Sequence, residues 1–243
     1  MSHLLSRALH NIPEQKLRDL QIEVLKKCAE CSKNKEAKIG EACKKCNLFH
    51  LVYHRYFQAN IPVKYWFLEM EKDFAGFPGL KKEYQDYIDD LKNSYHSGKS
   101  ILFAGFFGSG KTFAATNILK RAAEKNYSAL YVTLNDIVYS LINNTIEDKS
   151  LSRQELLIVD FLVIDEFDPR HMGSEQGAEL FGRIFEDIFR SRIQNNLPTI
   201  LCTNASKIEE AFKEGPIRNS ISSLLNYVKR VAVVSKDFRK EGK

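Results

Sequence analysis

Gly105-Phe106-Phe107-Gly108-Ser109-Gly110-Lys111-Thr112 is a complete G-x-x-x-x-G-K-T string, and it decides the fold. A short apolar run at 100–104 precedes it and a helical pattern over 111–125 follows it. That is the strand–loop–helix setting in which the motif has physical meaning. Glycines at 105, 108 and 110 let the backbone wrap a phosphate chain, and the helix after them offers free N–H groups and the positive end of its dipole. Lys111 reaches the terminal phosphates, and the Thr112 hydroxyl is a ligand for Mg²⁺. Ser109 and Phe113 complete the stretch against which a nucleoside triphosphate rests.

Working outward, the apolar run Phe161-Leu162-Val163-Ile164 leads into Asp165-Glu166. A hydrophobic strand ending in acids puts a carboxylate at the sheet edge beside the phosphate loop. Asp165 is then expected to hold Mg²⁺, directly or through water, and Glu166 to orient and polarise an attacking water. Hydrolysis is implied as well as binding. A third run, 199–203, ends in Asn204, whose amide at that edge can sense the γ-phosphate or help position water. Cys202 within this run reads as a buried core residue.

From residue 98 onward, short apolar strands alternate with longer amphipathic segments. Strands are expected over 100–104, 129–133, 161–164, 199–203 and near 231–234. Helices are expected over 111–125, 135–143, 177–195 and around 208–212. This alternation predicts an α/β fold with a parallel sheet covered on both faces. Before it, 84–95 reads as a helix with Tyr84, Tyr87, Ile88, Leu91 and Tyr95 on one face, ending at Gly98. Residues 4–27 and 50–58 also read as helical. Asn60-Ile61-Pro62 breaks the second of these, because Pro62 holds Ile61 extended. The chain divides there, into residues 1–58 and 59–243.

Four of the five cysteines form two Cys-x-x-Cys turns, Cys28/Cys31 and Cys43/Cys46, separated by 11 residues. In a reducing compartment that pattern favours a metal over disulfides. Paired turns make a closed tetrahedral four-sulfur site suited to Zn²⁺. A redox dithiol and chance spacing are the competing readings. So short a first part buries little apolar surface, which a structural metal would offset.

The net charge of +5 hides an uneven distribution. Residues 1–66 carry +6, residues 207–243 carry +4, and the stretch between carries −5. Basic ends suit an anionic partner such as nucleic acid, and solvated surface charge accounts for them equally well. Phe49, Tyr53, Tyr56 and Phe57 near the zinc turns could stack on bases, but their helical spacing fits a small core better. No apolar run approaches the ~20 residues of a membrane helix. Residues 1–20 carry Arg7, Glu14, Lys16, Arg18 and Asp19 and no apolar h-region. A secretory signal is not expected, and the cytoplasm is the expected location.

Three stretches together resemble the AAA+ ATPases that load bacterial replicative helicases, the DnaC and DnaI type, with the IstB transposition ATPases as close relatives. They are 105–112, 161–166 and Ile188-Phe-Arg-Ser-Arg192-Ile-Gln-Asn-Asn-Leu-Pro198-Thr-Ile-Leu-Cys-Thr-Asn204. Ala59-Asn-Ile-Pro-Val-Lys-Tyr65 and the terminal Asp237-Phe-Arg239 add to the likeness, which covers roughly 59–240. The resemblance implies ATP as nucleotide, Ile61, Pro62 and Tyr65 bordering adenine, Asn204 as first sensor and Arg239 touching nucleotide. Where loaders usually carry an arginine finger this chain has Ser222 or Ser223; Arg218, one turn earlier, is the candidate, with Arg230 second. The resemblance also implies a hexameric helicase and single-stranded DNA as partners, ATP-dependent self-association, a zinc module that grips the helicase, and no helical lid domain. Competing functions are an IstB-like ATPase that recruits a transposase, and a nucleotide-gated DNA-binding adaptor with little turnover. A small-molecule kinase is the weakest, since nothing resembles an Arg-rich acceptor lid.

Overall fold

Five strands form one sheet in a computed structural model of the chain. The structure describes residues 55–142, 153–168, 174–205, 208–209, 212 and 214–233, with scattered helical positions between 15 and 26. The strands are β1 (Ser100–Gly105), β2 (Ala129–Thr133), β3 (Phe161–Asp165), β4 (Thr199–Thr203) and β5 (Val228–Val233). Their order is β2-β3-β4-β1-β5, and every neighbouring pair is parallel. The helices are α1 (Met70–Asp73), α2 (Pro78–Asp89), α3 (Leu91–His96), α4 (Lys111–Glu124), α5 (Leu134–Ile142), α6 (Arg153–Ile158), α7 (Glu175–Gln194) and α8 (Pro216–Leu224).

Alternation along the strands separates two cores. Ile101, Phe103, Val163, Ile200 and Cys202 face one side and pack with Leu80, Tyr84 and Tyr87 of α2 and the alanine-rich face of α4. Leu102, Leu162, Ile164 and Leu201 face the other, against Ile137, Leu156, Ile221, Leu224 and the α7 residues Phe181, Phe185, Ile188 and Phe189. Both faces of β3 and β4 are buried, which is why these strands read as unbroken apolar runs. The expected parallel, doubly covered sheet is observed.

The helices depart from expectation in three places. The helix expected over 84–95 begins earlier, at Pro78, and breaks at Asp90 into α2 and α3. Proline at the first helical position starts a helix, since its missing N–H has no partner there anyway. Of the segment expected to be helical at 208–212, the described residues show a 3₁₀ position at Glu209 and no α-helix, and Phe212 N–H donates to the Glu209 carbonyl. The helix lies further on, in α8, where Pro216 follows Gly215 and Ile217, Ile221 and Leu224 recur at helical spacing. The short helix α6 was not expected at all.

Arg192, at the end of α7, is fully buried. Its guanidinium donates to the carbonyls of Leu156, Val159, Asp160 and Pro198 and to Thr199 Oγ1. It thereby ties the end of α6 to the entrances of β3 and β4. Burial pulls its pKa down to about 9. With that tie the C-terminal ends of β1, β4 and β3 come together at one edge of the sheet, where ligands of open parallel sheets bind.

Candidate functional site

β1 ends at Gly105, where a Cβ would lie 2.2 Å from the Val233 carbonyl oxygen of the neighbouring strand. Only glycine lets the chain leave the sheet there. Gly110, at φ 95°, is the N-cap of α4, and a Cβ on it would strike the Phe74 ring. Between these glycines the loop carries Phe106 and Phe107 outward, 69% and 60% exposed. Lys111 folds back beneath it: its ammonium donates to the carbonyls of Gly105 (2.8 Å) and Phe106 (2.7 Å) and to Ser109 Oγ (3.2 Å). Ser109 Oγ itself donates to the Phe106 carbonyl. The loop is shaped by its own lysine and serine, and the first-turn N–H groups of α4 remain without intrahelical acceptors.

Asp165 closes β3, nearly buried at 5% exposure. Its Oδ2 accepts from the Tyr131 hydroxyl at 2.7 Å and its Oδ1 from the Glu166 N–H at 2.8 Å. Burial, with the Asp165 carboxylate alongside, holds the Tyr131 phenol well above the usual tyrosine range. Tyr131 was not singled out from sequence, because its reach to Asp165 depends on strand register. Glu166 is exposed and sits at φ 52°, in the left-handed region that bulky residues avoid. This turn lets Phe167 donate its N–H to the Cys202 carbonyl and enter the core, while the Glu166 side chain stays outside. Strain of this kind collects at functional sites.

A cavity of about 580 Å³ joins these parts. Gly108, Ser109, Gly110, Lys111, Thr112 and Phe113 line one side, and Asp165, Glu166, Thr203 and Asn204 line another. Thr203 Oγ1 accepts from the Ala205 N–H, fixing the turn that carries Asn204. Tyr65 and Phe74 make an aromatic wall with Phe113, their ring centroids 6.0 and 5.6 Å from its own. Phe74 lines the cavity, and sequence did not mark it. Ile61 and Pro62 do not line the cavity: Ile61 is fully buried in the core, and Pro62 caps the 3₁₀ turn Val63–Tyr65. Gly105 also stands back from it. Cys202, expected in the core, is buried, and burial pushes its thiol up.

Thr112 and Asp165 bring hard oxygen donors to the same cavity, the ligand chemistry Mg²⁺ requires. Arg218 lies outside the cavity at the start of α8, 3.7 Å from Glu214 of the preceding turn. Arg230, on β5, pairs with Glu209 at 3.0 Å. Arg239 and the four cysteines Cys28, Cys31, Cys43 and Cys46 lie outside the described residues. Among the described residues, no group of three or more His, Cys, Asp and Glu side chains is placed to hold a metal ion.

No family model matches the chain. A replicative helicase loader, DnaI, from Bacillus subtilis is 29% identical over 128 residues, which are 51% of this chain and 40% of that protein. An ATP-binding protein of insertion sequence IS232 from Bacillus thuringiensis is 28% identical over 179 residues, 70% of this chain and 66% of its own length. The crystal structure of DnaI superposes with a TM-score of 0.58 at 18% identity, covering 73% of this chain and 94% of that one. The fold is thus shared with the crystal structures of DnaI and of a DNA replication initiation factor. The sequence resemblance to helicase loaders and insertion-sequence ATPases is likewise found. The matches span less than two thirds of either curated relative, so they bear on the domain rather than on the whole of those proteins. Among the described residues, no helix is long and apolar enough to cross a membrane.

Proposed function

We propose that this chain binds ATP with Mg²⁺, hydrolyses it, and uses the cycle to control how a hexameric replicative helicase engages single-stranded DNA in the cytoplasm. The observation that carries the reading is the meeting of Gly108–Thr112, Asp165, Glu166 and Asn204 in one cavity beneath an aromatic wall. The likeness to the loader DnaI supports the choice of partner. In this reading the loop N–H groups and Lys111 take the phosphates, Tyr65, Phe74 and Phe113 border the base, and Thr112 and Asp165 hold the metal. Mg²⁺ held there would supply charge neutralisation to the phosphates. Glu166 holds the water in line for attack, and Asn204 reads the γ-phosphate. Arg239 would touch the nucleotide, and Arg218, or else Arg230, would complete the site within an ATP-dependent assembly of several copies. Residues 1–58 form a separate helicase-gripping module in which Cys28, Cys31, Cys43 and Cys46 hold one Zn²⁺; metal analysis of protein purified without chelator should find one zinc per chain, and none would remove the site.

The test of loading is co-purification with the helicase, strengthened by ATP and lost on deleting residues 1–58. Failure to bind any replicative helicase, with ATP or without, sinks the loader reading.

The longer match to the IS232 protein favours one alternative: an ATPase that assembles on duplex DNA and recruits a transposase. ATP-dependent binding to duplex DNA together with a transposase, and none to helicase, would select it.

A further inference from the structure

Tyr131 stands between the start of the ATPase domain and its metal-binding acid. Its backbone N–H donates to the Ala59 carbonyl at 2.7 Å, and its carbonyl accepts from Asn60 Nδ2 at 2.8 Å. The segment that leaves residues 1–58 is thus stitched onto β2, the edge strand of the sheet. The phenol of the same residue crosses to β3 and donates to Asp165 Oδ2 at 2.7 Å. The register sets Thr133 opposite Asp165, so Tyr131 lies two residues away on the same face and reaches the carboxylate along the diagonal.

Asp165 is therefore gripped at both oxygens, by Tyr131 on one and by the Glu166 N–H on the other, while still lining the cavity. The grip at the other end is specific as well. Asn60 is 4% exposed, holds a left-handed backbone at φ 56°, and leaves its Oδ1 buried without a hydrogen-bond partner. Its bond to Tyr131 offsets that cost, and any displacement of residues 59–60 pulls on the Tyr131 backbone.

We propose that Tyr131 is a positioning residue for Asp165, through which the segment at 59–60 sets the Mg²⁺ affinity of the nucleotide site. The proposal rests on the reading of that site as one for ATP and Mg²⁺. Outer partners of metal-binding carboxylates fix their orientation, and losing one typically costs about 10–100-fold in metal affinity. A docking event on residues 1–58 that moves Ala59 and Asn60 thereby reaches the metal without touching nucleotide.

The experiment uses the full chain and follows binding of a fluorescent ATP analogue as Mg²⁺ is titrated, with melting temperature recorded separately. Tyr131→Phe removes the hydroxyl alone and should raise the Mg²⁺ concentration for half-maximal binding by about 10-fold. Asn60→Gly keeps the left-handed backbone, loses the amide, and should raise it about threefold, with no further shift when added to Tyr131→Phe. An unchanged or lowered Mg²⁺ midpoint in Tyr131→Phe overturns the positioning role, whatever its melting temperature does. An unchanged midpoint in Asn60→Gly overturns the link to residues 59–60. If the wild type binds the analogue with no dependence on Mg²⁺, the site reading itself fails, and the inference with it.

Discussion

The Lys120 ammonium donates to the backbone carbonyl of Tyr65 at 3.0 Å, and to that of Leu68 as well. The helix that begins at the phosphate loop therefore holds the segment that walls the cavity. The lysine lies against the Tyr56 ring and is almost fully buried. Burial lowers its pKa from 10.5 to about 8.

That shift makes stability depend on pH with a definite sign. Between pH 8 and 10.5 the unfolded chain keeps the Lys120 proton and the folded chain releases it, so folding is favoured as pH rises through this window. Below pH 8 the ammonium is charged in both states and its burial cost is fully present. Urea titrations of wild type and Lys120→Met should show the difference in unfolding free energy moving in favour of wild type from pH 8 upward, by up to ~1.4 kcal/mol per pH unit. A difference flat in pH would show that Lys120 keeps an ordinary pKa.

Lys111 is committed to three loop oxygens, and phosphate oxygens would have to take their place. Charge-assisted bonds of this kind are worth about 1.5–3 kcal/mol, so Lys111→Ala should weaken ATP binding about 10–100-fold. Fluorescence titration with a labelled analogue measures this directly. Wild-type affinity in the variant would mean that the loop is no phosphate cradle.

Glu166 can be tested apart from binding. Its exposed carboxylate sits at the cavity edge on a left-handed residue, and glutamine in its place keeps size and backbone while losing the charge. Glu166→Gln should bind ATP as wild type does and release phosphate on the order of 10²–10⁴-fold more slowly. Equal turnover in the two proteins, with and without DNA, would favour the nucleotide-gated adaptor over the ATPase.

Arg192 predicts a structural failure rather than a catalytic one. Arg192→Met strips partners from the carbonyls of Leu156, Val159, Asp160 and Pro198 while removing a buried charge. The Pro198 carbonyl keeps the Leu162 N–H. The unpaired carbonyls of Leu156, Val159 and Asp160 dominate, and the loss should be about 2–4 kcal/mol, a fall of roughly 10 °C in melting temperature for a chain of this size. Arg192→Lys should not restore it, because one nitrogen cannot span acceptors on three segments. A melting temperature within a degree or two of wild type would rule out the clamp.

What could be read from sequence was whatever a local pattern encodes. Gly105 to Thr112 is contiguous, and β3 and β4 are apolar on both faces, so the phosphate loop and two strand ends with Asp165, Glu166 and Asn204 stand out along the chain. The missed parts depend on register and packing. Nothing near Tyr131 in sequence announces that its phenol will meet a carboxylate 34 residues on. Phe74 covers Gly110 because the chain after α1 crosses the loop, and Arg192 reads as an ordinary basic helix end until three segments close around it. Ile61 fits the pattern of a base-bordering residue, yet its side chain is spent on the core, and the wall falls to Tyr65 and Phe74.

Among the described residues, the cations lining the cavity are Lys64 and Lys111 and no arginine lines it, so the finger is sought outside that lining. Of the two candidates among the described residues, Arg230 is engaged at 3.0 Å by Glu209, and Arg218 stands 3.7 Å from an exposed Glu214. Arg218 is half-buried and Glu214 open to solvent. A long ion pair with one partner fully solvated is worth about 1 kcal/mol or less, so releasing Arg218 to a neighbouring copy costs little. Arg218→Ala should leave ATP affinity intact and suppress the concentration-dependent part of turnover, on the order of 10³-fold if it acts as other arginine fingers do. The measurement is phosphate release across a protein dilution series. A curve that superposes on wild type would transfer the role to Arg230, whose removal would then have to break the Glu209 pair first.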